Sequence, residues 1–212
     1  MESENRTWSG AIIGIGGGTG AGKSTLAQAI AALRPGGVSL IECDWYYRDQ
    51  GHLSLAQREQ TNYDHPDALE IELLAEQLTR LRAGEAVDAP VYDFSEHTRC
   101  RSVQRIEARP LIVLEGLHVL VNARLRALLA LKVYVHCPPN LRLSRRIQRD
   151  TAERGRELNK VLAQYERDVE PMHSRYVEQS RVHADIEVSG LDDPEASAAR
   201  ILSSRALAER AT

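Results

Sequence analysis

Aromatic side chains are scarce in this chain, about 5% of residues with one phenylalanine, and cysteine is scarcer still, at three. Cys43, Cys100 and Cys137 are odd in number, widely spaced and form no C-x-x-C pair. That excludes a disulfide frame or a zinc knuckle and reads as reduced thiols. No apolar run approaches the roughly 20 residues of a spanning helix, so no membrane partner is expected. The opening "MESENRTWSG" is polar and acidic, without the apolar core of a secretory signal. Together these predict a cytoplasmic protein. Formal net charge is −3, so no global basic field draws the chain to nucleic acid. Also missing are an internal repeat, a low-complexity tract, an H-E-x-x-H metal pair, a dinucleotide fingerprint and a Ser-His-Asp arrangement legible from spacing. His52, His118, His136, His173 and His183 therefore read as ordinary surface or core residues.

What is present is a regular alternation. At 212 residues, 42% apolar and 27% charged, the chain suits one α/β domain over 1–212. Short β-branched runs alternate with helix-periodic ones, which predicts a mostly parallel sheet flanked by helices. The strands are expected at 11–16, 38–42, 111–116, 131–137 and 184–190. Leu26, Ile30 and Leu33 mark a first helix; Ile71, Leu74, Leu78 and Leu81 mark another, with Pro66-Asp67 as its start. Further helices are expected at 139–151, 157–179 and 194–209, the last opened by the cap Asp193-Pro194. "AVDAPVYDF" and "RSVQRIEA" alternate weakly and predict a small hairpin insert, about 86–108.

"GGTGAGKS" (17–24) fits G-x-x-x-x-G-K-[ST] between a strand and a helix, the context of a phosphate-binding loop. Gly17, Gly18, Thr19, Gly20, Ala21, Gly22, Lys23, Ser24 and Thr25 are its candidate phosphate-binding residues. Glycines let successive N–H groups turn into one concavity, and the helix that follows adds its positive end. Lys23 is expected at the β- and γ-phosphates and the Ser24 hydroxyl on Mg²⁺. Glu115, ending the strand "LIVLE", is a second candidate for the metal or its water shell; a turn-forming acid is the alternative.

In "NLRLSRRIQRD", Arg142, Arg145, Arg146 and Arg149 fall within about a 100° arc at helical spacing. Leu143 and Ile147 form an adjoining stripe that would face the core, and Arg154 and Arg156 follow around Gly155. A solvated charged face paired with Asp150, Glu153 and Glu157 is one reading. The other is an arginine-rich lid, about 140–165, closing over transferring phosphate, with Arg149 and Arg154 as phosphate ligands.

Outside the loop, "DWYYRDQGHLS", "TNYDHPDALE", "PVYDFSEHTR", "LEGLHVL" and "RLSRRIQRDTAERGRELNKVLAQYERDVEPM" resemble the uridine kinase (uridine–cytidine kinase) family of P-loop kinases over about residues 12–190. The resemblance implies phosphorylation of the 5′-hydroxyl of uridine and cytidine, with ATP or GTP as donor, by a homotetramer. Asp44 matches the acid that orients or deprotonates that hydroxyl. Tyr47, Tyr63, Asp64, Tyr92, His97, Arg146, Arg156 and Gln164 match positions lining the nucleoside pocket. A neutral His97 has one donor and one acceptor nitrogen, so a tautomer change lets it meet uracil O4 or cytosine N4. Two stretches depart from the family pattern: "EVSGLDD" replaces a Pro-Arg-Gly turn, and "EPMHSRY" replaces a more aromatic run. Competing readings are a kinase for another small alcohol, such as a sugar phosphate or pantothenate, and a non-catalytic nucleotide-dependent switch.

Overall fold

A computed structural model describes residues 10–208. The polar stretch 1–9 and residue 209, the end of the last expected helix, lie outside the described residues. Five strands, β1 (Ala11–Gly17), β2 (Val38–Glu42), β5 (Leu111–Glu115), β6 (Leu131–His136) and β7 (Ile186–Ser189), form a wholly parallel sheet in the order β2-β5-β1-β6-β7. β1 and β5 are buried along their whole length, as a strand covered on both faces requires. Alternate residues of β1 serve opposite layers. Ile12 packs toward α3 (Ile71–Arg82), whose Ile71, Leu74, Leu78 and Leu81 are buried as the spacing predicts. Ile13 and Ile15 pack toward α1 (Lys23–Ala32) and its Leu26 and Ile30. Burying each such side chain contributes about 1.5–3 kcal/mol. No helix of the described residues is long and apolar enough to cross a membrane.

The insert forms a separate antiparallel pair, β3 (Val87–Asp93) and β4 (Thr98–Ile106), whose register shifts between Pro90 and Tyr92. Two short helices carry no apolar period and were not expected. α2 (Leu55–Arg58) is opened by a Ser54–Gln57 capping box, and α4 (Ala123–Leu128) by Asn122, whose side chain accepts from two backbone amides. Pro66-Asp67 does not start α3. It sits in a 3₁₀ turn, Pro66–Ala68, after which Leu69 is extended and the helix begins at Ile71.

The C-terminal helices also differ from their sequence pattern. α5 (Pro139–Ala152) has the expected span, but Leu143 and Ile147 are only half-buried. Its buried stripe is Arg142, Arg146 and Asp150, at i, i+4 and i+8. The expected single helix over 157–179 is instead α6 (Leu158–Gln164), a π segment Tyr165–Val169, α7 (Glu170–Met172), a second π segment His173–Val177 and a 3₁₀ stretch to His183. Pro171 explains the break: it has no N–H for the ladder, and its ring would strike the carbonyl four residues back, so the turns around it widen. Asp193 caps α8 (Pro194–Leu202) by accepting from the Ala196 amide at 2.9 Å. That helix ends at Ser203 and resumes as α9 (Arg205–Ala208).

Candidate active site

The ends of β2, β5, β6 and β7, with the loop that follows β1, line one cavity of about 910 Å³, on the carboxyl side of a parallel sheet where α/β proteins take up ligands. The glycine loop forms one wall. Gly20 has φ 72° and a Cβ there would meet the Arg142 carbonyl oxygen at 2.4 Å, so only glycine fits between the loop and α5. Gly22 (φ 101°) is the left-handed residue from which α1 starts. Thr19, Gly20, Gly22, Lys23, Ser24 and Thr25 line the cavity. Gly17, Gly18 and Ala21 are not part of its lining: a Cβ at Gly17 would meet the Val135 carbonyl and one at Gly18 the Arg142 and His173 side chains, while Ala21 is fully buried.

Lys23 is buried and donates to the Gly18 carbonyl at 3.0 Å. Burial lowers its pKa, opposed by the charges of Glu115 and Asp44. The Ser24 hydroxyl donates to Glu115 Oε1 at 2.6 Å, so the serine of the loop and the acid ending β5 meet as one oxygen pair. Burial raises the Glu115 pKa against the pull of Lys23 and the Ser24 hydrogen bond. Among the described residues no group of three or more His, Cys, Asp or Glu could hold a metal. A hydroxyl beside a single carboxylate suits a hard cation that takes most of its shell from phosphate and water, so the donors present fit Mg²⁺.

Asp44 lies in a 3₁₀ turn, Cys43–Tyr46, that leaves β2 and faces the same cavity. Beyond it the aromatics gather. The Tyr47 ring is 5.3 Å from that of Tyr63 and 5.2 Å from that of Tyr92, and His97 stacks on Tyr63 at 5.0 Å and 24°. The arginines of α5 and the segment after it reach this box through shared acceptors. Arg146 donates to Thr19 Oγ1 (3.3 Å) and to Gln164 Oε1 (2.9 Å); Arg156 donates to the same Gln164 oxygen (3.2 Å) and to His97 Nε2 (3.3 Å). Asp64 is buried on the same wall, its pKa raised by burial against the opposing charge of Arg146.

Asp150 is the hub the arginine pattern hides. It is fully buried and faces Arg146 (3.6 Å), Arg149 (2.7 Å), Arg154 (3.5 Å) and Arg156 (3.4 Å). Burial alone would raise its pKa, but Arg149, Arg146 and Arg154 outweigh that and hold it below the usual value. The arginine face is thus divided: Arg142 and Arg146 are buried and Arg145 is exposed, while Arg149 and Arg154 stand on the cavity wall. Phe94, the one phenylalanine, was not singled out in the sequence; it lines the cavity beneath the Arg154 guanidinium at 4.2 Å. Nor was Glu42, which pairs in register with Glu115 and faces the same space. The departing stretch after β7 lines the cavity too, and the Arg145 fork donates to the Gly190 carbonyl at 3.1 Å.

The profile of the family described as Phosphoribulokinase / Uridine kinase matches residues 12–196. A uridine kinase of Clostridium novyi is 46% identical over 176 residues, 82% of this chain and 85% of that protein. A uridine kinase of Staphylococcus epidermidis is 44% identical over the same shares of the two chains. In fold, the chain resembles the solved phosphoribulokinase from Rhodobacter spheroides with a TM-score of 0.62 at 16% identity, over 88% of this chain and 74% of that one. With the glycine loop, Asp44 and the arginine-rich stretch all inside the matched segment, the chain belongs to the phosphoribulokinase/uridine kinase family.

Proposed function

We propose that the protein transfers the γ-phosphoryl group of ATP or GTP to the 5′-hydroxyl of uridine or cytidine, giving UMP or CMP. One observation carries this reading: a single cavity joins the phosphate loop and Asp44 to a box of Tyr47, Tyr63, Tyr92 and His97. Tyrosine faces enclose a planar base while their hydroxyls meet its polar edge, which a small sugar phosphate does not need. Asp64 and Arg156 suit the ribose hydroxyls, as acceptor and donor fork.

In the reaction the 5′-oxygen bonds to the γ-phosphorus as the bond to the bridging oxygen breaks, the nucleoside diphosphate leaves, and Asp44 accepts the hydroxyl proton. Lys23 and the lid arginines Arg149 and Arg154 offset charge on the transferring group. Ser24 and Glu115 would hold Mg²⁺, which supplies charge neutralisation at the phosphates. The hairpin insert, about 86–108, and the lid, about 140–165, enclose the acceptor and keep out water, the competing acceptor. The same reading assigns one kinase domain over 1–212, acting in the cytoplasm as a homotetramer.

The test crosses ATP and GTP with uridine, cytidine, adenosine and a sugar phosphate in a coupled assay. Product that depends on a pyrimidine nucleoside is expected. Turnover with the sugar phosphate alone, or nucleotide binding without any acceptor turnover, would sink the assignment.

A further inference from the structure

His118 is 1% exposed, and neither ring nitrogen makes a hydrogen bond. A neutral imidazole carries one donor and one acceptor, and buried polar atoms without partners are rare. Packing alone does not call for it. Its neighbours Leu117, Val119 and Leu120 are apolar, and a leucine would fill the place with nothing left unmade.

Its position is more informative than its burial. His118 follows Glu115 in the loop that leaves β5, beside Leu117, which lines the cavity. The groups acting on its ring are the Asp44 carboxylate, His65, Lys23 and the main-chain oxygen of Asp64. The Asp64 oxygen lies near enough to favour a ring N–H, yet the approach lacks hydrogen-bond geometry. Burial, the largest influence, keeps the ring neutral. A neutral, unpartnered imidazole therefore lies close to the two segments that carry Asp44 and Asp64, with the Asp64 main-chain oxygen as its nearest acceptor.

We propose that His118 is a positioning residue of the acceptor site: with nucleoside bound, its ring N–H bonds the Asp64 main-chain oxygen and ties the Tyr63–Asp64 segment to the loop after β5. The inference deepens the nucleoside kinase reading and rests on it. A segment so tied presents Asp64 and Tyr63 in one arrangement, and loosening it should weaken acceptor binding rather than the transfer step.

The experiment compares His118→Leu and His118→Gln in the full chain, with KM for each substrate, kcat and the melting temperature. His118→Leu is expected to raise the nucleoside KM about tenfold, with kcat and the nucleoside triphosphate KM within about twofold of wild type. Its melting temperature should hold or rise, because an unmade polar group has been removed. His118→Gln keeps a side-chain N–H and should recover most of the affinity. A wild-type nucleoside KM in His118→Leu overturns the proposal, as does equal loss in both variants. Absence of uridine-dependent product from the wild type in the same assay sinks the kinase assignment itself. Wild-type product with unaltered His118→Leu affinity sinks only the role of His118.

Discussion

Arg156 Nη2 lies 3.3 Å from Nε2 of His97, a contact that favours one tautomer. A guanidinium has no acceptor, so Nε2 must accept and the ring proton sits on Nδ1. The ring of this hairpin residue is therefore oriented by the arginine-rich segment, through a contact between residues 59 positions apart.

The same contact carries a titration prediction. Burial first, then the Arg156 charge, lowers the His97 pKa from 6.5 to about 4. The unfolded chain takes up this proton near 6.5, so the stability contributed by neutral His97 is full above that pH and lost as pH falls toward 4. Ring resonances of His97 followed by NMR should titrate near 4. In Arg156→Gln the midpoint should rise but stay below 6.5, because burial remains. An ordinary midpoint in the wild type would show that His97 is neither buried nor in contact with Arg156.

Asp44→Asn tests the proton acceptor. The amide keeps the shape of the carboxylate and loses its basicity, so binding of both substrates should stay within a few-fold while kcat falls about 10²–10⁴-fold. Calorimetric binding and initial rates on one preparation separate the two effects. Near-normal turnover would remove Asp44 from the chemistry.

Much of this site was legible because short-range chemistry set it. The glycine loop needs its residues at fixed spacing, and β1 and β5 read as buried strands from apolar content alone. In "IECDWYYRD" the acid and Tyr47 carry a chemical reading, whereas spacing alone says nothing of Trp45 and Tyr46. Trp45 packs against the core, and Tyr46 is fully buried with its hydroxyl on Gln77 Oε1 at 2.7 Å. What stayed illegible depends on long-range geometry. Helical spacing showed four arginines on one side of α5 but not that Asp150 lies buried among them, since a wheel carries no information on what faces it. Pro171 was visible, but the widened turns that absorb it were not. Glu42 reads as one more strand-end acid until the register with Glu115 is known.

Asp150→Ala should therefore unpair four arginines at a cost in stability. Arg146, Arg149, Arg154 and Arg156 would be left facing one another around an empty site. Removing one partner of a buried ion pair costs about 3–5 kcal/mol, and here several partners lose it at once. Urea denaturation should show a loss near the lower bound, since Arg149, Arg154 and Arg156 can relax toward water. The nucleoside KM should rise with it, because Arg146 and Arg156 also hold Gln164 and His97. Unchanged stability would show that the arginines pair elsewhere once Asp150 is gone.

Glu42 supplies a prediction of opposite sign to that for His97. Burial, followed by the charges of Glu115 and Asp44, raises its pKa from 4.5 to about 7. A carboxyl raised on folding stabilises the protein below its unfolded pKa, and that contribution is lost as pH climbs through the folded value. Glutamine keeps the shape of the protonated form at every pH. The melting temperature of Glu42→Gln minus that of the wild type should thus grow between about pH 4.5 and 7 and level off above. Taking the difference cancels other titrating groups, apart from those coupled to Glu42 itself. A flat difference across that range would mean that Glu42 ionises normally beside Glu115, with no crowding of negative charge at the ends of β2 and β5.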